Sequence, residues 1–277
     1  MRISEVFGKD VDDVSATAVA HRQSRLCPFR NTRCTKSSKT DPLGVCTLSD
    51  GVSATALCPV RFLEEDRIFA DGARLAFGTG VEFAVFPEIR ILRIEGKGEA
   101  AKKIGKVDFL LGQVSGGKVV DFAAMEVQAV YFSGISIRPA MRHFLKEGAL
   151  DVGNSDRRPD FRSSAQKRLA PQLMLKVPVF RRWAKKFFVV VDSKFFGSLP
   201  TFRTASQANS ELTWLSYRIQ KGEGGYKLQP PLVTGSIWED VANALREGVA
   251  PEPGEISEEL QKKLSGPPST RPRMLMS

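Results

Sequence analysis

A chain of 277 residues suits one large domain or two small ones, and its 42% apolar content can fill a core. The net charge of +10 and pI near 9.6 point to nucleic acid or another anionic surface as partner. No apolar run approaches the roughly eighteen residues of a membrane span, and the first ten residues lack an apolar signal core. A cytoplasmic protein is therefore expected. The two histidines, His21 and His143, are too few for a histidine-dependent triad or a histidine-rich metal site, and packing or surface roles are expected of both.

In chain order, Asp10, Asp12 and Asp13 precede a short helix expected over residues 14–20, and a basic lead-in runs to Arg30. All four cysteines then fall in one window, Cys27, Cys34, Cys46 and Cys58, spaced C-x6-C-x11-C-x11-C. Clustered cysteines without a secretory signal read as a metal site sooner than as disulfides, and four thiolates suit zinc or iron. The paired C-x2-C of zinc ribbons is absent, so four unconnected core cysteines remain the alternative. The neighbours Arg30, Arg33, Lys36 and Lys39 cannot build a core, so a metal would be the staple of this segment. It would also hold those cations where they could meet phosphates and base edges.

Residues 61–77 place Phe62, Leu63, Ile68, Phe69 and Leu75 at helical intervals, ended by Gly78 and Gly80. Residues 81–94 read as a strand whose Pro87 marks an edge or a bulge. A lysine- and glycine-rich loop is expected over 96–105. Next comes a hairpin: a strand from Lys106, a turn at Ser115-Gly116-Gly117, and a nearly continuous apolar strand over 119–131. Glu126 and Gln128 interrupt that second strand two residues apart, hence on one face. A turn centred at Gly116 would set Asp108 opposite Ala124 and diagonal to Glu126, about 7–8 Å away. A buried carboxylate needs compensation. Either Glu126 pairs with a Lys or Arg from elsewhere, or Asp108 and Glu126 converge on Mg²⁺ that activates a water and stabilises a phosphoryl transition state.

Beyond the hairpin, residues 133–162 read as a basic loop carrying Arg138, Arg142, Lys146, Arg157, Arg158 and Arg162. Arginine reads guanine through O6 and N7, so this stretch is a candidate for contacting GC-rich sequence. Helices broken at Pro171 and Pro178 are expected over 164–183, a core strand over 187–192, and a weaker strand or helix over 211–219. Ser236 is the expected cap of a helix running to Arg246. A last short helix is expected over 256–264, and a loose tail over 266–277.

Asp108 followed by Glu126-Val127-Gln128 across a hairpin resembles the PD-(D/E)xK nuclease core, with Gln in place of the usual Lys. Together with Cys27-Pro28-Phe29, Cys34-Thr35-Lys36, Asp41-Pro42-Leu43-Gly44-Val45-Cys46 and Cys58-Pro59-Val60-Arg61-Phe62, it resembles the NotI restriction endonuclease family over residues 27–131. The resemblance implies an α/β (α+β) fold: a PD-(D/E)xK mixed central sheet flanked by helices, with a small four-cysteine metal module at the N-terminus. It implies structural iron on Cys27, Cys34, Cys46 and Cys58, zinc being the chemical alternative. It implies a Mg²⁺-dependent type II enzyme, homodimeric, that cuts double-stranded DNA at a GC-rich palindrome. Asp108 and Glu126 would hold the Mg²⁺, and Gln128 would orient the water. Glu88 would be the upstream third acid, in preference to Glu95; a surface pair of Glu88 with Arg90 or Arg93 is the competing expectation. The expected organisation is a cysteine module over 1–62, a nuclease core over 63–250 and a tail over 251–277. A DNA-binding protein with a decayed nuclease core is the alternative function, and a repair or RNA-directed nuclease a third.

Overall fold

The structure, a computed structural model, describes residues 1–94, 102–134, 136–148, 158–246, 251–267 and 272–275. The chain divides into two units, Met1–Leu245 and Arg246–Ser277. The first begins with β1 (Arg2–Val6), α1 (Ala16–Ser24), β2 (Val45–Ser49), β3 (Ser53–Ala56) and α2 (Arg67–Phe77). Three long strands follow, β4 (Phe83–Ile94), β5 (Lys102–Ser115) and β6 (Lys118–Val127). After these come α3 (Arg138–Glu147), α4 (Ala170–Arg182), β7 (Phe187–Asp192), β8 (Leu212–Tyr217), β9 (Ile219–Gly222), β10 (Gly225–Leu228), β11 (Leu232–Ser236) and α5 (Trp238–Arg246). The second unit holds α6 (Pro253–Leu264), opened by a capping box between Glu252 and Glu255.

The larger sheet has the order Thr204–Ala205, β11, β8, β7, β6, β5, β4; the smaller has β10, β9, β3, β2, β1, Lys9–Asp10. In the larger sheet β7 runs parallel to both β6 and β8, while the other pairs are antiparallel. The fold is thus mixed α/β. Every residue of β7 is buried, as its Phe-Phe-Val-Val-Val-Asp composition demands of a central strand covered on both faces. On one face Phe187, Val189 and Val191 pack with Leu173, Val177 and Phe180 of α4 and Val241 of α5. On the other, Phe188 and Val190 pack with Ile68, Phe69 and Ala73 of α2 and with Ala54, Ala56 and Leu228 of the smaller sheet. Parallel β6 and β7 require a crossover, and α4 lies within it.

The hairpin turn is Gly116-Gly117, with φ of 57° and 72°. Two successive positive φ values make a type I′ turn, which glycine adopts without strain. The register differs from the expected one. Ser115 pairs with Lys118, so the turn is centred between the two glycines, and a bulge between Gln113 and Val114 inserts one further residue into β6. Leu110 therefore faces Ala124 and Phe109 faces Met125, which brings Asp108 level with Glu126 instead of diagonal to it.

Other expectations also change. Residues 102–105 belong to β5, paired with the Leu92–Ile94 end of β4, because a long ladder partner outweighs the local loop composition; residues 95–101 lie outside the described residues. The basic stretch 133–162 contains α3, anchored by buried Met141 and Phe144, and a strand Arg158–Asp160 paired with Tyr131–Ser133. Two buried apolar residues are too weak a periodicity to announce a helix. Pro171 does not break the helix: residues 161–182 run on as one helical stretch, with a π turn over Ala165–Leu169 just before Pro171, and α4 continues through Pro178. Ser236 is not a cap: its Oγ donates to Leu212 O (3.1 Å) and accepts from Trp214 Nε1 (3.1 Å). The amide of Trp238 donates instead to Glu211 Oε2 (2.9 Å).

At the end of β7, Asp192 is wholly buried. Its Oδ1 accepts from the amides of Lys194 (3.1 Å) and Phe195 (3.0 Å), capping the short helix Ser193–Gly197. Burial pushes its carboxyl up to about 7 from 3.8, against the pull of these amides and of the Lys194 charge. A raised acid binds its proton more tightly in the folded state. Its contribution is therefore complete below pH 4 and is lost as pH rises through 7, a span of about 4 kcal/mol at most. Melting temperature is expected to fall between pH 4.5 and 7 in the wild type, and less steeply in Asp192→Asn; equal slopes in the two proteins would remove Asp192 as the cause.

Candidate active site

Pro87 pairs with Phe109 and Ile89 with Val107, so Glu88 stands level with Asp108 on the neighbouring strand. Glu88, Asp108 and Glu126 thus form one row across β4, β5 and β6. The regular ladder is interrupted along this row. Glu88 takes a positive φ of 60°, which kinks the edge strand just after Pro87 without shifting its register. On the other side of Asp108, carboxylates replace the missing backbone bonds. The Val127 amide donates to Asp108 Oδ2 (3.0 Å), and the Asp108 amide donates to Glu126 Oε1 (3.3 Å).

The two central acids have different surroundings. Asp108 lines a cleft of about 600 Å³, whereas Glu126 is only 2% exposed and lies outside its wall. Burial, and next the charge of Asp108, push the Glu126 carboxyl up to about 7, against the pull of Lys176. Lys176 projects from α4 and is itself 3% exposed. Its Nζ donates to Glu126 Oε1 (2.6 Å) and to Gln172 Oε1 (3.0 Å). Glu126 therefore does pair with a lysine from elsewhere in the chain. Gln172 lies one helical turn earlier and lines the cleft, so a polar chain runs from the cleft wall through Lys176 to Glu126.

Gln128 lines the same cleft, but its Nε2 donates to the carbonyl of Ala129 (2.5 Å). Glu88 also borders it, with its carboxylate paired to Lys106 (2.8 Å), whose bond and charge hold it below the usual carboxylate range. That partner is neither Arg90 nor Arg93. Glu95 lies outside the described residues. Around these acids the wall carries Arg30, Lys36, Lys167 and Arg168. The Arg168 guanidinium stacks on Tyr131 at 3.4 Å from the ring centroid. Four cationic side chains thus share the cleft lining with the carboxylates of Glu88 and Asp108.

Arg30 and Lys36 come from the cysteine segment. Lys36 Nζ also donates to Leu57 O (2.6 Å). Cys27, Cys34 and Cys46 are buried and Cys58 partly so, and all four are free thiols. Burial pushes the Cys27, Cys34 and Cys46 thiols up, and the charge of Cys58 adds to the rise in each. Four thiols have the donor chemistry of iron or zinc. Their spacing does not close a site: among the described residues no three Cys, His, Asp or Glu side chains are grouped tightly enough to hold an ion. For Mg²⁺ the donors at Asp108 and Glu126 are hard oxygens, and one or two protein carboxylates suffice when substrate phosphate supplies the rest.

Arg138 and Arg142 of α3 both donate to Asp41 Oδ2 (2.8 and 3.0 Å), and Arg25 Nη1 donates to Oδ1 (3.0 Å). Three guanidinium groups on one carboxylate tie α3 to the cysteine segment and leave surplus positive charge. Arg157 lies outside the described residues. Lys176, Gln172, Lys167, Arg168 and Tyr131 were not expected at the site. One signal was present: Lys176 interrupts the apolar stripe Leu169, Leu173, Val177 and Phe180, a charge on a face that should be buried.

Among the described residues no helix is long and apolar enough to cross a membrane. The family described as Restriction endonuclease NotI matches residues 5–229 of the chain. No curated protein matches the chain at a significant level.

Proposed function

Because the chain belongs to the NotI restriction endonuclease family, we propose that it is a type II restriction enzyme of the PD-(D/E)xK kind. It would hydrolyse phosphodiester bonds in double-stranded DNA at a GC-rich palindrome, as a homodimer whose two-fold axis matches that of its site. The observation that carries this reading is the cleft itself: Asp108 at its base, Glu126 behind it, and Arg30, Lys36, Lys167 and Arg168 in its wall.

The four cations would grip the phosphate backbone, so affinity should fall steeply with salt. The Val127 amide holds the Asp108 carboxylate in one orientation, and the Asp108 amide and Lys176 hold that of Glu126. These two acids would hold Mg²⁺, which when bound lowers the pKa of a water and neutralises charge developing on the phosphate. Arg138 and Arg142, positioned by Asp41, would reach base edges. The four cysteines would hold structural iron or zinc. Cys27→Ser with Cys46→Ser is expected to lose the bound metal and to lower the melting temperature; unchanged metal content and melting would end the idea of a metal module.

A second reading, DNA binding by a decayed nuclease core, is favoured by one observation: Lys176 occupies Glu126 Oε1 and the Gln128 amide is tied to its neighbour's carbonyl. Incubating the purified protein with a large GC-rich genome and Mg²⁺ separates the two. Discrete fragments are expected, and their ends would give the site. Uncut DNA that is nonetheless bound would favour the second reading.

A further inference from the structure

A lysine buried to 3% exposure needs an explanation, since taking a charge out of water is costly unless it is paired. Stability is a weak one: well-packed apolar residues often serve a core as well as a buried ion pair does. Location is more informative. The ammonium of Lys176 lies on the one carboxylate that shares backbone bonds with Asp108 at the base of the cleft, and through Gln172 it reaches the cleft wall. Four other cations line that wall, but among the described residues the only ion pair of Glu126 is with Lys176. Gln128, the polar residue that follows Glu126 by two positions, brings no charge, and its amide nitrogen is turned onto Ala129.

We propose that Lys176 is the cationic positioning residue of the reaction centre. It acts through Glu126, setting the orientation of that carboxylate beside Asp108 and balancing one of the two negative charges there. The positive charge that Gln128 does not bring is thus delivered from α4. The role rests on the nuclease reading and adds to it a residue on a different element.

Lys176→Gln removes the charge but keeps a side chain able to donate to Glu126. Its melting temperature, its DNA binding in metal-free buffer, its melting shift on adding Mg²⁺ and its cleavage rate are to be compared with those of the wild type. DNA binding is expected to stay within about threefold, because Lys176 is outside the cleft wall. Cleavage is expected to drop on the order of 100-fold, the usual cost of removing one electrostatic partner from a reaction centre. The Mg²⁺-induced melting shift is expected to grow, since the acid pair has lost its resident counter-charge. Adding Gln128→Lys to Lys176→Gln, which returns a cation from the residue just past β6, is expected to restore at least about tenfold of the rate. If Lys176→Gln fails to fold, Lys176→Met takes its place with and without Gln128→Lys. Wild-type cleavage by the Lys176 variant, or a loss that Gln128→Lys does not restore at all, overturns the proposal while the nuclease reading stands. Failure of both Lys176 variants to fold also overturns it, because the lysine is then structural. If the wild type leaves all DNA intact, the nuclease reading falls, and this proposal with it.

Discussion

Glu126→Ala is expected to abolish DNA cleavage while leaving DNA binding near its wild-type strength. The asymmetry follows from where the residue sits. The cations that would hold the duplex, Arg30, Lys36, Lys167 and Arg168, line the cleft, and Glu126 lies outside its wall. Removing it takes away no contact with the phosphate backbone. It does remove the carboxylate that accepts from the Asp108 amide and from Lys176. It also leaves Lys176 buried with only Gln172 as partner, which by itself costs about 3–5 kcal/mol. Glu126→Gln, which keeps volume and a hydrogen-bond acceptor, is therefore measured beside it. Both variants should bind, neither should cut, and only the alanine should melt markedly lower. An alanine variant that still produces fragments would remove Glu126 from the reaction and leave the cleft as a binding surface alone.

Arg61→Ala is expected to lower folding stability by about 3–5 kcal/mol, the usual consequence of removing one partner from a buried ionic network. Arg61 is entirely buried. Its Nε donates to Glu5 Oε2 (2.8 Å), Nη1 to Glu64 Oε2 (3.0 Å) and Nη2 to Tyr226 O (2.8 Å), and the Phe29 ring stacks 4.7 Å from the guanidinium. One side chain thereby joins β1, β10, the cysteine segment and the turn that leads into α2. Glu5 is also buried; burial pushes its carboxyl up, and Arg61 is the largest counterweight. Without Arg61 two carboxylates face each other in the interior. Denaturant unfolding gives the loss directly. Combining Arg61→Met with Glu5→Gln and Glu64→Gln should recover much of it, because the three charges then disappear together. A stability change below about 1 kcal/mol for Arg61→Ala would show that water reaches the network.

The hairpin was legible because its two signals are local. Two glycines in succession announce a type I′ turn, and a long apolar run announces a strand covered on both sides. Whether Asp108 stood opposite Ala124 or opposite Glu126 was not legible. That depended on a turn centred half a residue later than expected and on one bulged residue, neither of which leaves a mark in composition. The α3 helix and the Arg158–Asp160 strand were hidden for a related reason, since both depend on a few tertiary contacts set in a basic background. The cysteine segment was legible as a cluster. Only the fold showed that two of its cations, Arg30 and Lys36, border the same cleft as Asp108.

By itself the sequence pointed to nucleic acid as the partner, through its charge, and singled out Asp108 and Glu126 as candidate acids, through carboxylates placed on β-forming runs. It also determined the family, through cysteines and acids kept in one order. The tertiary structure alone decided what stands against those acids. Lys176 is fifty positions from Glu126 and reaches it because a parallel pair of strands forces a crossover, and the helix in that crossover must lie on the sheet. Contacts of that kind are set by how elements pack and not by spacing along the chain, so the counter-charge of Glu126 appeared only when the chain was folded.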